Sequence, residues 1–398
     1  MALMPVDEAL ARVLSAARKT ETVRLSLRDA DGYTLAEDVS ATRTQPPFAA
    51  SAMDGYAVRH EELALSRPLH VVGEAAAGHG FSGSFGPGQA VRIFTGAPMP
   101  DGADTVLIQE DATLNDSTIV PNEIPCKGLY VRPAGMDFKE GETLLRAGTR
   151  INFQSLSLAA AMNHRDLPVH RRPKIGILSN GDELVLPGNK PGEDQIIASN
   201  AFGVFSLVRE TGGEPVDLGI ARDRTEDIVS AFDGALNARC DVLVTLGGAS
   251  VGDHDLIKPA ISAKGAKLDF WKIAMRPGKP FMFGTLDGML LLGMPGNPVS
   301  SLVCSILFLK PLLIAMQGRD PAYALDRARL GNAIGKNSLR QAYLRAHVES
   351  TTAGLVATVF DQQDSSVLSV LAAANALVIR PPHAPAADAG DTCEILWL

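Results

Sequence analysis

At 398 residues, with 46% hydrophobic and 21% charged residues, the chain has ordinary globular composition and is too long for one core, which predicts about two to four domains. Its formal net charge of -8 argues against generic nucleic-acid or membrane-surface binding. Four widely spaced cysteines (Cys126, Cys240, Cys304, Cys393) form no CxxC pair and the histidines show no metal-ligand spacing, so a disulfide framework or zinc site is not expected and the chain reads as reduced and cytoplasmic.

Asp7 and Glu8 near the N-terminus do not fit a signal peptide. Val6, Leu10, Val13, Leu14 and Ala17 recur at helical spacing and predict an amphipathic helix over 6–19. Residues 51–146 are rich in glycine and carry short β-like runs such as Ala90–Phe94 and Thr105–Ile108, which predicts a β-rich insertion domain. Phe153–Met162 returns to helical spacing. Residues 1–50 and 147–172 are therefore expected to form one helical segment split by the insertion.

From Pro173 the texture changes. Strand-like runs Lys174–Leu178, Pro215–Gly219, Asp241–Leu246, Leu268–Ile273, Phe281–Leu286 and Met289–Leu292 are interspersed with helical patterns. The helices are Asn200–Thr211, with Ser199 as its N-cap, Thr225–Ala238, Asp255–Lys264 and a last one from near Val299 to Met316. This predicts a mostly parallel, doubly wound α/β domain over 173–322. The apolar run Val299–Leu309 is about half the ~20 residues that span a bilayer. Gly318–Leu330 reads as a linker, and the β-like runs Tyr343–Glu349, Leu355–Phe360, Ala376–Arg380 and Cys393–Leu398 predict a small β-barrel over 323–398.

Ligands of such sheets bind beyond the carboxyl ends of the strands, which selects the loops to inspect. Gly78-His-Gly-Phe-Ser-Gly83 matches GxGxxG but is rejected, because no buried strand precedes it and Phe85-Gly-Pro-Gly88 blocks the helix it would need. Asp182 and Glu183, after the first strand, are either solvated turn acids or ligands of Mg²⁺, which takes one or two carboxylates beside phosphate. Gly247 and Gly248 permit close backbone approach to a phosphate, and Ser250 could donate a hydrogen bond. Asp255 can cap its helix, bind metal, or do both. Lys272, Arg276 and Lys279 place three cations around Arg276-Pro-Gly-Lys-Pro280, while Pro295-Gly-Asn-Pro298 opens a helix N-terminus. Acids and cations on neighbouring loops favour a metal-plus-oxyanion site over a plain ion-pair network.

The ordered motifs SAMDGYA (51–57), TGAPMP (95–100), SNGDEL (179–184), GGASVG (247–252), RPGKP (276–280) and PGNPVS (295–300) closely resemble the molybdopterin molybdotransferases, as does the corresponding region of gephyrin-type proteins. The resemblance covers essentially the whole chain. It implies a four-domain homodimer that inserts molybdate into adenylylated molybdopterin and releases AMP with Mg²⁺ present. It also implies active-site roles for Asp54, Thr95, Asp137, Glu183, Asp223, Asp255, Lys272, Arg276 and Lys279, with Glu183 and Asp255 as metal ligands. Ser300, Arg340, Ser365 and Ser366 are expected to serve the oxyanion pocket with Pro295, Asn297 and Pro298. Arg276 and Asn180 stand where the family commonly has Lys and Thr.

Two other functions fit the same fold. Molybdopterin adenylyltransferases share the α/β domain but carry a GGTG-type loop, where this chain has Gly247-Gly-Ala-Ser250, and they lack its other ~220 residues. A non-catalytic scaffold is the second, and the intact acids and cations of every matched loop argue against it. A contact with the adenylyltransferase, as donor of the substrate, is a further expectation of the resemblance.

Overall fold

The computed structural model describes residues 3–64, 67–248 and 264–398. Two compact units are present: Met1–Val23, Gly32–Ala36 and Pro168–Leu398 make the first, and Arg24–Asp31 with Glu37–Leu167 the second.

The first unit is built on a six-stranded sheet in the order Glu214–Ala221, Lys174–Asn180, Val242–Leu246, Met289–Met294, Met282–Leu286, Lys267–Trp271. The first four strands pair in parallel, and the last two pairings are antiparallel. Two successive reversals mean that only Met282–Leu286 runs against the rest. Five strands thus deliver their carboxyl ends to one edge, as a mostly parallel, doubly wound sheet requires. Val242–Leu246 is buried throughout, because helices cover both faces. Alternate side chains go to opposite layers: Ile175, Ile177, Val242 and Val244 join helix Asn200–Thr211 and the helix after Pro298, whereas Leu178 and Leu243 join helix Thr225–Asn237.

Ser199 corrects one sequence expectation. Its hydroxyl makes no capping bond to the helix backbone and contacts the Asn200 side chain at 3.4 Å instead. The expected helix Asp255–Lys264 falls mostly outside the described residues, as do Ser250 and Asp255 themselves.

Helix Pro298–Met316 is apolar enough, at mean hydropathy 2.1 over an 18-residue window, to cross a membrane by composition, yet 72% of that window is buried in the protein. A π-helical segment, Ser305–Leu309, interrupts it. Pro311 lacks an N–H, so it cannot donate to the carbonyl of Leu307 four residues earlier. The Tyr323 hydroxyl donates to that carbonyl instead.

The C-terminal strands Leu325–Leu330, Gly354–Val359, Gln341–Thr351, Ala376–Arg380 and Thr392–Trp397 pair successively, and the last returns to the first, which closes a five-stranded barrel. Leu325–Leu330 is a correction, since it occupies part of the segment read as linker. Only Ala328 and Leu330 of that strand are buried, and its charged residues face outward. A further short strand, Met275–Arg276, adds to the barrel in parallel through Met275–Gln341 and Arg276–Ala342. Tyr343, Leu377 and Leu396 of the barrel share one apolar core with the sheet.

The second unit holds a six-stranded sheet in the order Thr105–Ile108, Gly55–Val58, Gln89–Ile93, Leu69–Ala75, Thr118–Pro121, Ala112–Asn115. A side chain at Gly55 would place Cβ 2.1 Å from the Leu107 carbonyl oxygen, so this strand contact demands glycine. The split helical segment is present in the sequence order expected: helix Val6–Ser15 packs into the first unit's core, and helix Phe153–Ala161, capped by Asn152, belongs to the second unit.

Two outcomes follow from these contacts. Tyr323→Phe leaves the buried Leu307 carbonyl without its donor and is expected to destabilise the protein by about 1–3 kcal/mol in urea denaturation. Gly278 has φ +108°, and a Cβ there would lie 2.6 Å from Cys304 Sγ. Gly278→Ala should therefore lower the thermal midpoint and shift the 276–280 loop, visible as changed amide resonances there; wild-type values for both would show the packing to be slack.

Candidate active site

The chain passes from Lys174–Asn180 outward to Glu214–Ala221, then back across to Val242–Leu246 on the other side. The strand order reverses direction between the first and third of these strands, the position at which such sheets bind ligands. There the first unit has a cavity of about 1020 Å³. Its walls are the strand-end segments Ser179–Gly181, Leu246–Gly248, Arg276–Pro280 and Pro295–Pro298, with Arg340 and Gln363–Ser366 from the barrel. Gly247 has φ +101°, and a Cβ on it would sit 2.7 Å from the Asn180 carbonyl oxygen, so the loops meet this closely only through glycine.

One wall is acidic. Asp223 accepts from Asn180 Nδ2 at 2.8 Å and from the Asp182 amide at 3.3 Å, while Arg222 holds the Asp182 carbonyl at 2.8 Å. Glu183 folds over Gly181, where a Cβ would lie 2.3 Å from Oε2. Glu183 makes no ion pair among the described residues, and the buried Oδ1 of Asn180 has no donor. No group of three potential metal-ligating side chains gathers among the described residues. A carboxylate and a buried acceptor without partners among the described residues nonetheless fit Mg²⁺, which draws most of its ligands from water and phosphate.

The facing wall is cationic and hydroxylic. Arg276 is held by the strand pairing with the barrel, and Arg340 reaches back to the Met275 carbonyl at 3.5 Å. Lys279 lines the same wall, and its carbonyl accepts from the Ile273 amide at 3.0 Å. The barrel loop is locked onto the start of helix Pro298–Cys304: Val299 N donates to the Ser365 carbonyl at 3.1 Å, and Asn297 Nδ2 to Ser365 Oγ at 2.8 Å. Ser366 donates to Asp364 from both N and Oγ, at 2.8 and 2.6 Å, which holds that carboxyl below its ordinary pKa. Pro295, Pro298 and the buried Ser300 complete this side.

Of the sequence-selected residues in this unit, the cavity gathers Glu183, Asp223, Gly247, Gly248, Arg276, Lys279, Pro295, Asn297, Pro298, Ser300, Arg340, Ser365 and Ser366. Lys272 does not line it. Its backbone takes φ +75°, and its ammonium lies 5.9 Å from the ring centroid of Trp271.

Arg345 was missed. It is fully buried, with Nε and Nη1 unpartnered and Nη2 donating to the Gln362 carbonyl at 3.1 Å. Gln363 bonds both its amide and its carbonyl. Burial pushes the guanidinium pKa down, and the charge of Asp364 opposes that. Arg345 thus sits behind the loop that presents Ser365 and Ser366. The signal was available, since Arg345 lies in the run Tyr343–Glu349 that predicts a barrel strand.

In the second unit, SAMDGYA and TGAPMP are joined by backbone bonds from Gly96 N to the Ser51 carbonyl at 2.9 Å and from Ser51 N to the Ala97 carbonyl at 3.0 Å. Asp54 Oδ1 accepts from Thr95 N and Oγ1, both at 2.8 Å; these bonds, the amide's foremost, hold its carboxyl below the ordinary carboxylate pKa. Asp137 lines a separate cavity of about 720 Å³ with Arg43, Arg132 and Met136.

Three family models match the chain: the MoeA N-terminal region (domain I and II) over residues 4–163, a probable molybdopterin binding domain over 176–315, and the MoeA C-terminal region (domain IV) over 327–398. Molybdopterin molybdenumtransferases from Haemophilus influenzae and Bacillus subtilis are each 34% identical and are aligned over 99% of this chain and 98% and 94% of their own lengths. Two solved structures of MoeA proteins from Pyrococcus horikoshii, 30% and 28% identical, superpose with TM-scores of 0.87 and 0.84; the matches cover 100% of this chain and 99% and 100% of theirs. By these matches over its whole length, the chain belongs to the MoeA family of molybdopterin molybdenumtransferases.

Proposed function

We propose that the chain inserts molybdate into adenylylated molybdopterin and releases AMP, forming molybdenum cofactor. The observation that carries this is one cavity whose walls are acidic at Glu183 and Asp223 and cationic at Arg276, Lys279 and Arg340. A tetrahedral dianion is held by charge-assisted hydrogen bonds from the two arginines and Lys279, with the Ser300 and Ser365 hydroxyls as neutral donors and Ser366, whose own donors are taken by Asp364, positioning that loop. The left-handed backbone at Gly247 and Gly248 supports phosphate approach on the nucleotide side. Glu183, together with Asp255, would hold Mg²⁺, which when bound would polarise the pyrophosphate linkage toward loss of AMP. Lys272 serves charge compensation in the same reading, Asp54 is assigned a catalytic role, and Thr95 and Asp137 a substrate-binding one.

The family models matched on both flanks of the α/β domain support insertion over adenylyl transfer, for which that domain alone would serve. A homodimer, receipt of substrate from an adenylyltransferase and a cytoplasmic setting belong to the same proposal; four cysteines without a disulfide agree with the last.

Adenylylated molybdopterin incubated with the protein should release AMP in proportion to added molybdate; release indifferent to molybdate would sink the proposal. Arg276→Ala is expected to raise the half-saturating molybdate concentration by roughly tenfold, the loss of one charge-assisted contact. Glu183→Gln should raise the Mg²⁺ requirement for AMP release by about tenfold or more while equilibrium binding of adenylylated substrate persists. Unchanged Mg²⁺ dependence would remove Glu183 from the metal site.

A further inference from the structure

The cavity is larger than an oxyanion needs. Its cationic loop follows the strand Lys267–Trp271, whereas the acidic loop follows Lys174–Asn180, four strand positions away. At about 4.8 Å per step, these strands lie roughly 19 Å apart along the sheet edge.

At the acidic end the wall becomes apolar. Leu184–Val185 and Ile196–Ile197 pair as two short parallel strands, with Leu184 opposite Ile196. Register partners of adjacent strands share a face. Leu184 and Ile196 both line the cavity, and Ile196 is 58% exposed. A lone exposed isoleucine is ordinary. This one is fixed beside Glu183: its amide donates to the Glu183 carbonyl at 2.8 Å, and the Ala198 amide to the Val185 carbonyl at 2.9 Å. An apolar ledge is thus attached to the residue placed nearest the phosphates.

Resting on the molybdate-insertion reading, we infer that Leu184 and Ile196 form a platform for the flat ring of the nucleotide half of the substrate. The phosphates then pass Glu183 and the Gly247–Gly248 turn, and the reacting oxyanion end reaches Arg276 and Arg340. The ledge separates recognition from chemistry, because an apolar surface can grip the adenine face without disturbing the ionic end of the cavity. Ile196 acts as a specificity-determining residue.

The test uses full-length protein and titration calorimetry. Ile196→Ser should weaken AMP binding about tenfold, the scale of losing one buried branched side chain, and leave inorganic pyrophosphate binding unchanged. Ile196→Leu should bind AMP as the wild type does. Because Ile196 is exposed, folding should survive the change, and circular dichroism checks this. Equal AMP affinity in Ile196→Ser and wild type overturns the platform. Weakened binding of unadenylylated molybdopterin with intact AMP binding also overturns it, since the ledge would then hold the pterin ring. Failure of the wild type to release AMP on molybdate addition would instead bring down the underlying reading, so the two failures are told apart.

Discussion

The first unit depends on the direction of its strands. Had Lys267–Trp271 run the other way, its following loop would emerge on the opposite edge, far from Glu183. The two antiparallel pairings around Met282–Leu286 cancel each other, and so the cationic loop returns to the edge where the parallel strands end. The polar residues that the sheet contributes to the cavity follow from that edge. The core beneath supplies the rigidity: strands buried on both faces cannot slip by one residue without exposing an apolar row to the wrong layer.

Opposite charges within one cavity would ordinarily collapse into salt bridges. Here the backbone prevents it. Asp223 is occupied locally by Asn180 and the Asp182 amide, and the cationic loop is pinned by the barrel strand and by Gly278 against Cys304. Charge separation is maintained by hydrogen bonds that need no ligand. The site is preorganised for a substrate with both a metal-seeking and a cation-seeking end. Arg345 adds a buried positive charge behind the hydroxyl loop, where Asp364 at the cavity wall partly balances it.

Much of the first unit was legible. Uninterrupted apolar runs such as Asp241–Leu246 can only be strands covered on both faces, and glycine-proline loops mark their ends. Leu325–Leu330 escaped notice because half of it is charged and its burial arises only when the barrel closes. Ser199 looks like a cap in sequence, yet the chain enters that helix from the Ile196–Ile197 strand in a conformation that turns the hydroxyl aside. Lys272 stands in the sequence among the site cations but not on the cavity wall, as a left-handed backbone at that position reads from sequence like any other lysine. Arg345 lies in a run that reads as a barrel strand, yet its charge suggests solvent, whereas packing encloses the guanidinium behind a loop.

The pairing of Met275–Arg276 with Gln341–Ala342 has a consequence for how the chain tolerates dissection. A fragment ending before the barrel would keep the whole α/β sheet. It would also bare a row of amides and carbonyls at Met275 and uncover the apolar patch that Tyr343, Leu377 and Leu396 normally close. Such unpaired borders recruit strands from other molecules. The truncated protein would therefore be prone to self-association as well as inactive, and grafting the α/β domain elsewhere would need a surrogate strand at this seam.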